Sequence, residues 1–272
     1  MRDRERWIVM DGPARRALGV VLLVSLAGCG RSEAERTKER LTGVIGGTAL
    51  NARAQTVWIW EADREADGHG ITPCGPTLRS ATFLLRWPEM APRTKANRDD
   101  YNTHYSGGTG DSQWIEIGMS QGGPGEIVSL QGTRERALGR DPAWRMPYQV
   151  SFEFGWDETL GLETARPSVS ESRSYNWNRI NYSDTFATGA MPNVLIRCMT
   201  GPQYRPPHWT PLCEATLEDA HLKQVHLSIR YRQNLLPHWR DIERDVRQFL
   251  RSVQRECPVP GHGPGTAAEA AA

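Results

Sequence analysis

Ser120 stands between two glycines in Gly118-Met119-Ser120-Gln121-Gly122, directly after the run Trp114-Ile115-Glu116-Ile117. A serine on a sharp strand-to-helix turn can attack an acyl carbon, because the turn lifts its hydroxyl and aims backbone N–H groups at the oxyanion. Such a serine also needs a base, for which Asp157 or Asp184 with His208 or His226 are candidates. Gly123-Pro124-Gly125 follows the motif and leads into the strand-like run Ile127-Val128-Ser129-Leu130. Glycine and proline there favour a hairpin loop over a helix. Ser120 is therefore expected to be chemically ordinary.

Metal and cofactor chemistry find little purchase. Cys198, His208 and Cys213 carry ligand atoms, but their spacing matches no paired-cysteine zinc signature. His221 and His226 are an odd number of residues apart, so on a strand they face opposite ways. Glu61, Asp63, Glu65, Asp67 and His69 read as a solvated acidic loop, with a weak calcium site as the alternative. No phosphate-binding loop or dinucleotide fingerprint is present, and neither cofactor nor metal is expected.

The elements that would position these residues are mostly strands. Gln55–Trp60, Thr82–Trp87, Trp114–Ile117, Tyr148–Phe154 and Asn193–Cys198 are short, apolar or alternating, and bounded by turn residues. The clearest lies within His221–Arg232. Val225, Leu227, Ile229 and Tyr231 share one face there, and His226, Ser228, Arg230 and Arg232 the other. A helix of about 19 residues (about five turns) follows, with Pro237 in its first turn and Trp239, Ile242, Val246, Phe249, Leu250 and Val253 as its apolar stripe. The expected fold is α+β: a mostly antiparallel sheet with this long C-terminal amphipathic helix packed on one face.

Near the N-terminus, Arg15 and Arg16 precede the apolar run Val20–Val24, which ends in Leu26-Ala27-Gly28-Cys29. The run is too short to span a bilayer. This arrangement resembles the signal and lipobox of bacterial lipoproteins. The resemblance implies cleavage after Gly28, a diacylglyceryl thioether on Cys29, a membrane anchored through that lipid, and a domain facing the periplasm. Gly30 and Arg31 lack the aspartate that often retains lipoproteins in the inner membrane, so outer-membrane sorting is preferred. Arg2-Asp3-Arg4-Glu5-Arg6 mixes both signs, unlike a signal's leading region, which leaves Met1 and Met10 as alternative starts.

With residues 1–28 removed, 29–51 reads as the lipidated cysteine and a charged tether, 52–257 as one α+β domain or two subdomains, and 258–272 as a disordered tail rich in Pro, Gly and Ala. The chain is 38% hydrophobic and 24% charged with net charge +1, which argues against both disorder and nucleic-acid binding. The tryptophans are scattered, as core anchors are. If Cys29 is lipidated, four cysteines remain in an oxidising compartment, an even number. Cys198 and Cys213 flank a proline-rich loop and are expected to pair, which leaves Cys74 for Cys257.

In Phe83–Thr94 a strand ends at Trp87-Pro88, and Pro-Glu-Met-Ala-Pro-Arg-Thr turns outward. The stretch resembles poorly characterised proteobacterial envelope proteins, and it would put Glu89, Arg93 and Arg98 on an exposed, partner-facing rim. Two function classes follow. The first is a membrane-anchored, non-catalytic protein-binding module, of the immunity or accessory type that serves toxin-delivering secretion systems, or an envelope-structural protein. Its partner would be another envelope or periplasmic protein. The second is an esterase-like hydrolase using Ser120, since Gly118–Gly122 resembles the nucleophile motif of α/β-hydrolases.

Overall fold

The computed structural model describes residues 39–257 except 63–70, 107–109, 122–129, 138–139, 141–151, 168–182, 190, 200–209, 220 and 223. Expectations for the signal and Cys29, the acidic loop beyond Ala62, the Gly122–Gly125 turn, His208 and the 258–272 tail lie outside the described residues.

The chain does not reach its first strand at residue 55. β1 (Arg40–Ile45) and β2 (Thr48–Arg53) form an antiparallel hairpin, turned by Gly46 and Gly47 at φ 52° and 79°. Two consecutive positive φ values make the tight two-residue turn that matches strand twist, and glycine adopts them without strain. Ile45, Leu50 and Ala52 are fully buried. The expected tether is thus corrected: from Arg40 onward this stretch belongs to the folded domain. Gly43, Ala49 and Ala52 are small, so the strands carry too little apolar bulk for their alternation to stand out.

A short 3-10 turn over Ala54–Thr56 leads into β3 (Val57–Ala62). Then come β4 (Ile71–Thr72), β5 (Gly75–Pro76), β6 (Leu78–Arg86), β7 (Ala91–Pro92) and β8 (Trp114–Gln121). Between β7 and β8, a short helix Arg98–Asp100 runs into a wide helical turn, Tyr101–Ser106. A helix, Leu130–Ala137, precedes β9 (Phe152–Asp157), β10 (Leu162–Pro167), β11 (Ser183–Ala187), β12 (Val194–Met199), β13 (Leu212–Leu217) and β14 (Val225–Arg232). Leu130, expected to close a strand-like run, instead opens that helix.

One antiparallel sheet runs β3-β6-β8-β14-β13-β12-β11-β10-β9, with β7 folded back on β6. The Pro88–Met90 segment therefore does not turn outward. It reverses the chain so that Ala91 and Pro92 pair with Arg86 and Leu85. Period-two alternation gives the sheet two unlike faces. Ala81, Phe83 and Leu85, Ile115, Ile117 and Met119, Leu227, Ile229 and Tyr231, and Ala215 all point to one side and are buried.

The C-terminal helix, Trp239–Val253, covers that apolar face. Trp239, Ile242, Val246, Leu250 and Val253 are buried, and Phe249 packs edge-on to Phe83 with ring centroids 5.2 Å apart. Each of the larger side chains gains roughly 1.5–3 kcal/mol by leaving water. The helix is shorter than expected at both ends. Pro237 lies in a preceding 3-10 turn, Gln233–His238, and Gln254–Arg255 form β15, which pairs with β2.

Both expected disulfides are present. Cys198 and Cys213 are direct cross-strand partners on β12 and β13, facing the core. Cys74, in the β4–β5 turn, joins Cys257 just after β15, across 183 residues of sequence. Arg255 donates to the Cys74 carbonyl beside this bridge.

Candidate protein-binding surface

The face of the sheet opposite the C-terminal helix is polar, and it forms in rows across the strands. Ser80, Ser120 and His226 are register neighbours on β6, β8 and β14. The next row is Thr82, Gly118, Ser228 and Thr216. A third holds Leu84, Glu116, Arg230, Glu214 and Arg197. Helix Leu130–Ala137 covers this face over β11 and β12, packing Leu130 on Ala187 and Leu195.

Ser120 does not sit on an elbow. It lies within the regular strand β8 with ladder neighbours on both sides, so no strand-to-helix turn raises its hydroxyl. His226 lies beside it across the ladder, yet no hydrogen bond joins the two among the described residues. Asp184 and Asp157 lie on β11 and β9, four and six strands across the sheet from β8 and so far outside hydrogen-bond reach of Ser120. Asp157 accepts the Leu160 N–H at 3.0 Å and pairs with Arg166, as does Asp184. Cys198 and Cys213 are committed to a disulfide, which removes them as thiolate ligands.

In the charged row, Arg230 bridges Glu116 and Glu214, each 3.6 Å away. Burial pushes the Glu116 carboxyl above the usual range and the neighbouring charge of Glu214 adds to this, while Arg230 and a hydrogen bond with Tyr105 oppose without cancelling. A raised folded-state value means that the folded protein binds this proton more tightly than the unfolded chain. The resulting stabilisation is complete below the unfolded value near 4.5 and disappears as pH rises through the raised one. Glu116→Gln keeps an acceptor for Tyr105 and removes the titration. We expect it to flatten this part of the stability–pH curve in denaturant unfolding measured from pH 4 upward; an unchanged slope would contradict the assignment.

At the β3 end, cations and aromatic rings alternate. Tyr101 and Tyr105 stack at 5.4 Å, and Trp114 meets Tyr101 edge-on at 5.5 Å. The Trp114 indole N–H donates to Asp100 at 2.7 Å. Arg232 runs beneath this group, almost fully buried. Its guanidinium donates to the carbonyls of Tyr105 and Thr210 and lies 5.6 Å from the Tyr105 ring centroid. Sequence alternation put Arg232 on the polar face, but it could not show that the Tyr101–Ser106 turn would bury it.

The three rim residues differ in kind. Glu89 is exposed and pairs with Arg86 at 3.6 Å; Arg98 is exposed and lies 3.8 Å from Asp99. Arg93 is not a free rim group: its guanidinium sits in the wedge between Trp58 and Tyr101, 5.3 and 4.7 Å from the ring centroids. A β-bulge re-aims Trp58, because Val57 pairs with Phe83 while Ile59 pairs with the adjacent Thr82. Trp58 and Ile59 remain about half exposed, at 48% and 45%. The other sheet edge, β9, exposes Phe154 and Trp156. Arg140 lies over Phe154 at 4.2 Å, lining a cleft of about 230 Å³ with Arg134 and Glu163. The sequence signal for both edges was aromatic residues on strands that end the sheet, which only the strand order exposes.

No protein family matches this chain, and no curated protein does. One solved structure shares the fold: the immunity protein Smlt3025 of the Stenotrophomonas maltophilia type IV secretion system. It aligns over 80% of this chain and 94% of its own, with a TM-score of 0.51 and 15% sequence identity. The chain thus adopts the fold seen in that immunity protein.

Proposed function

We propose that this protein is a non-catalytic, protein-binding immunity module, anchored at the membrane through Cys29 and facing the periplasm, with the outer membrane preferred. The observation that carries this reading is the fold shared with a secretion-system immunity protein over nearly the whole of that chain. Three further observations agree with it. Two disulfides suit an oxidising compartment. Leu26-Ala27-Gly28-Cys29 resembles a lipobox. Ser120 lacks the turn that a nucleophile of its motif requires. Immunity of this kind needs a stable domain, a tether and an exposed surface that covers a toxin.

Contact competition tests it. A strain lacking this gene should be outcompeted by its parent on solid medium and should survive when the parent's toxin-delivering system is disabled. Supplying the full chain should restore survival. Ser120→Ala should protect as well as the wild type, whereas Cys29→Ser should leave the membrane fraction and protect less. Equal fitness of deletion strain and parent would reject immunity. Loss of protection in a folded Ser120→Ala variant would revive the hydrolase.

A further inference from the structure

We propose that the wedge formed by Trp58, Arg93 and Tyr101 receives an acidic side chain, Asp or Glu, of the protein that this domain binds. The assignment rests on the immunity-type function proposed above. Arg93 lies between the two rings, with its Nε buried and without an acceptor. Among the described residues no carboxylate pairs with it. Two nearby arginines have acidic neighbours: Arg86 has Glu89 and Asp100, and Arg98 has Asp99. Arg93 is therefore a partly buried, oriented cation that has no counter-charge among the described residues.

The geometry selects the ligand. Both rings hold the guanidinium at cation–π range, and its terminal N–H groups can pair with a coplanar carboxylate through two parallel N–H···O bonds. Holding the side chain in advance lowers the entropy lost on binding. Half-exposed Trp58 and Ile59 supply an apolar border around the charge, and Trp, Tyr and Arg together are the residue types that dominate protein interfaces. An anionic membrane fits less well. Glu89, in the Pro88–Met90 reversal, and Asp99, in the short helix Arg98–Asp100, have side chains 56% and 92% exposed and offset the basic field that a lipid surface needs.

The test uses the deletion strain carrying full-length variants in contact competition with its parent. Reversing a charge at an interface anchor weakens binding by about 30-fold or more, so Arg93→Glu should drop survival to that of the empty vector. Arg93→Gln, which keeps the stem against the rings, and Trp58→Ala should each protect partially. Arg251→Glu, on the exposed side of the C-terminal helix, should protect fully. Melting of each purified variant should stay within about 2 °C of the wild type, the shift expected from less than 1 kcal/mol in a domain of this size. Wild-type protection by folded Arg93→Glu or Arg93→Gln overturns the wedge and leaves immunity standing. Failure of the wild-type chain itself to protect rejects immunity and the wedge together. Two other outcomes would reassign the wedge. One is co-sedimentation of the Cys29→Ser chain with phosphatidylglycerol–phosphatidylethanolamine vesicles, lost in Arg93→Glu, which assigns it to lipid. The other is a dimer in light scattering, dissolved by Arg93→Glu, which assigns it to a second copy of the chain.

Discussion

Replacing Cys74 and Cys257 together with alanine should destabilise the domain by about 2–5 kcal/mol and lower its Tm by roughly 5–20 °C. The bridge spans 183 residues, and on the chain-entropy account a loop of that length is worth about 5 kcal/mol through the unfolded state it restricts. It also fastens the β4–β5 turn to the end of β15, so its loss frees the strand that closes β1 and β2 against the C-terminal helix. The Cys198–Cys213 bridge encloses only 15 residues of sequence and joins strands already paired by a ladder. Its removal should cost less, about 3 kcal/mol on the same account. Denaturant unfolding of the two double variants compares them directly. Equal or reversed losses would show that loop length does not govern the stabilisation.

Arg232→Ala should be nearly as damaging. Its guanidinium satisfies the carbonyls of Tyr105 and Thr210 in a site almost closed to water. Truncation leaves both acceptors short of a donor and opens a void under the stacked tyrosines, at a cost of about 2–5 kcal/mol. Lysine offers a single ammonium where the planar fork reaches two carbonyls, so Arg232→Lys should recover only part of the loss. Because Tyr101, Tyr105 and Trp114 pack together above it, near-ultraviolet circular dichroism should weaken along with stability. An Arg232→Ala variant with wild-type stability and an unchanged aromatic signal would contradict this role.

How much of this was legible beforehand follows from where each signal resides. β14 and the C-terminal helix announce themselves through side-chain period alone, since Leu227, Ile229 and Tyr231 alternate and Trp239, Ile242, Val246 and Leu250 follow helical spacing. The cysteine pairing was legible because an even count and a proline-rich loop leave few alternatives. The hairpin Arg40–Arg53 was not, because its buried positions are filled largely by Gly43, Ala49, Leu50 and Ala52 behind a charged lead-in. Ser120 was expected to be chemically ordinary because of the Gly123-Pro124-Gly125 run, but the strand pairing that holds it flat in the sheet leaves no record in a short motif. At the candidate surface, Glu89, Arg93 and Arg98 were expected together on one exposed rim, whereas Arg93 is clamped by rings that come from β3 and from the Tyr101–Ser106 turn. A bulge at Trp58 and the burial of Arg232 depend on tertiary contacts that no local pattern encodes.

The most direct measurement is a titration of toxin activity with this protein. The toxin is the secreted protein whose deletion from the parent restores survival of the strain lacking this gene. Its activity is followed as the purified Cys29→Ser chain is added in increasing molar ratio. A binding module inhibits by occupancy, so inhibition should rise linearly and saturate at one chain per toxin, and removal of the chain should restore activity. Complete inactivation at ratios far below one, or no inhibition at any ratio, would contradict a non-catalytic immunity function.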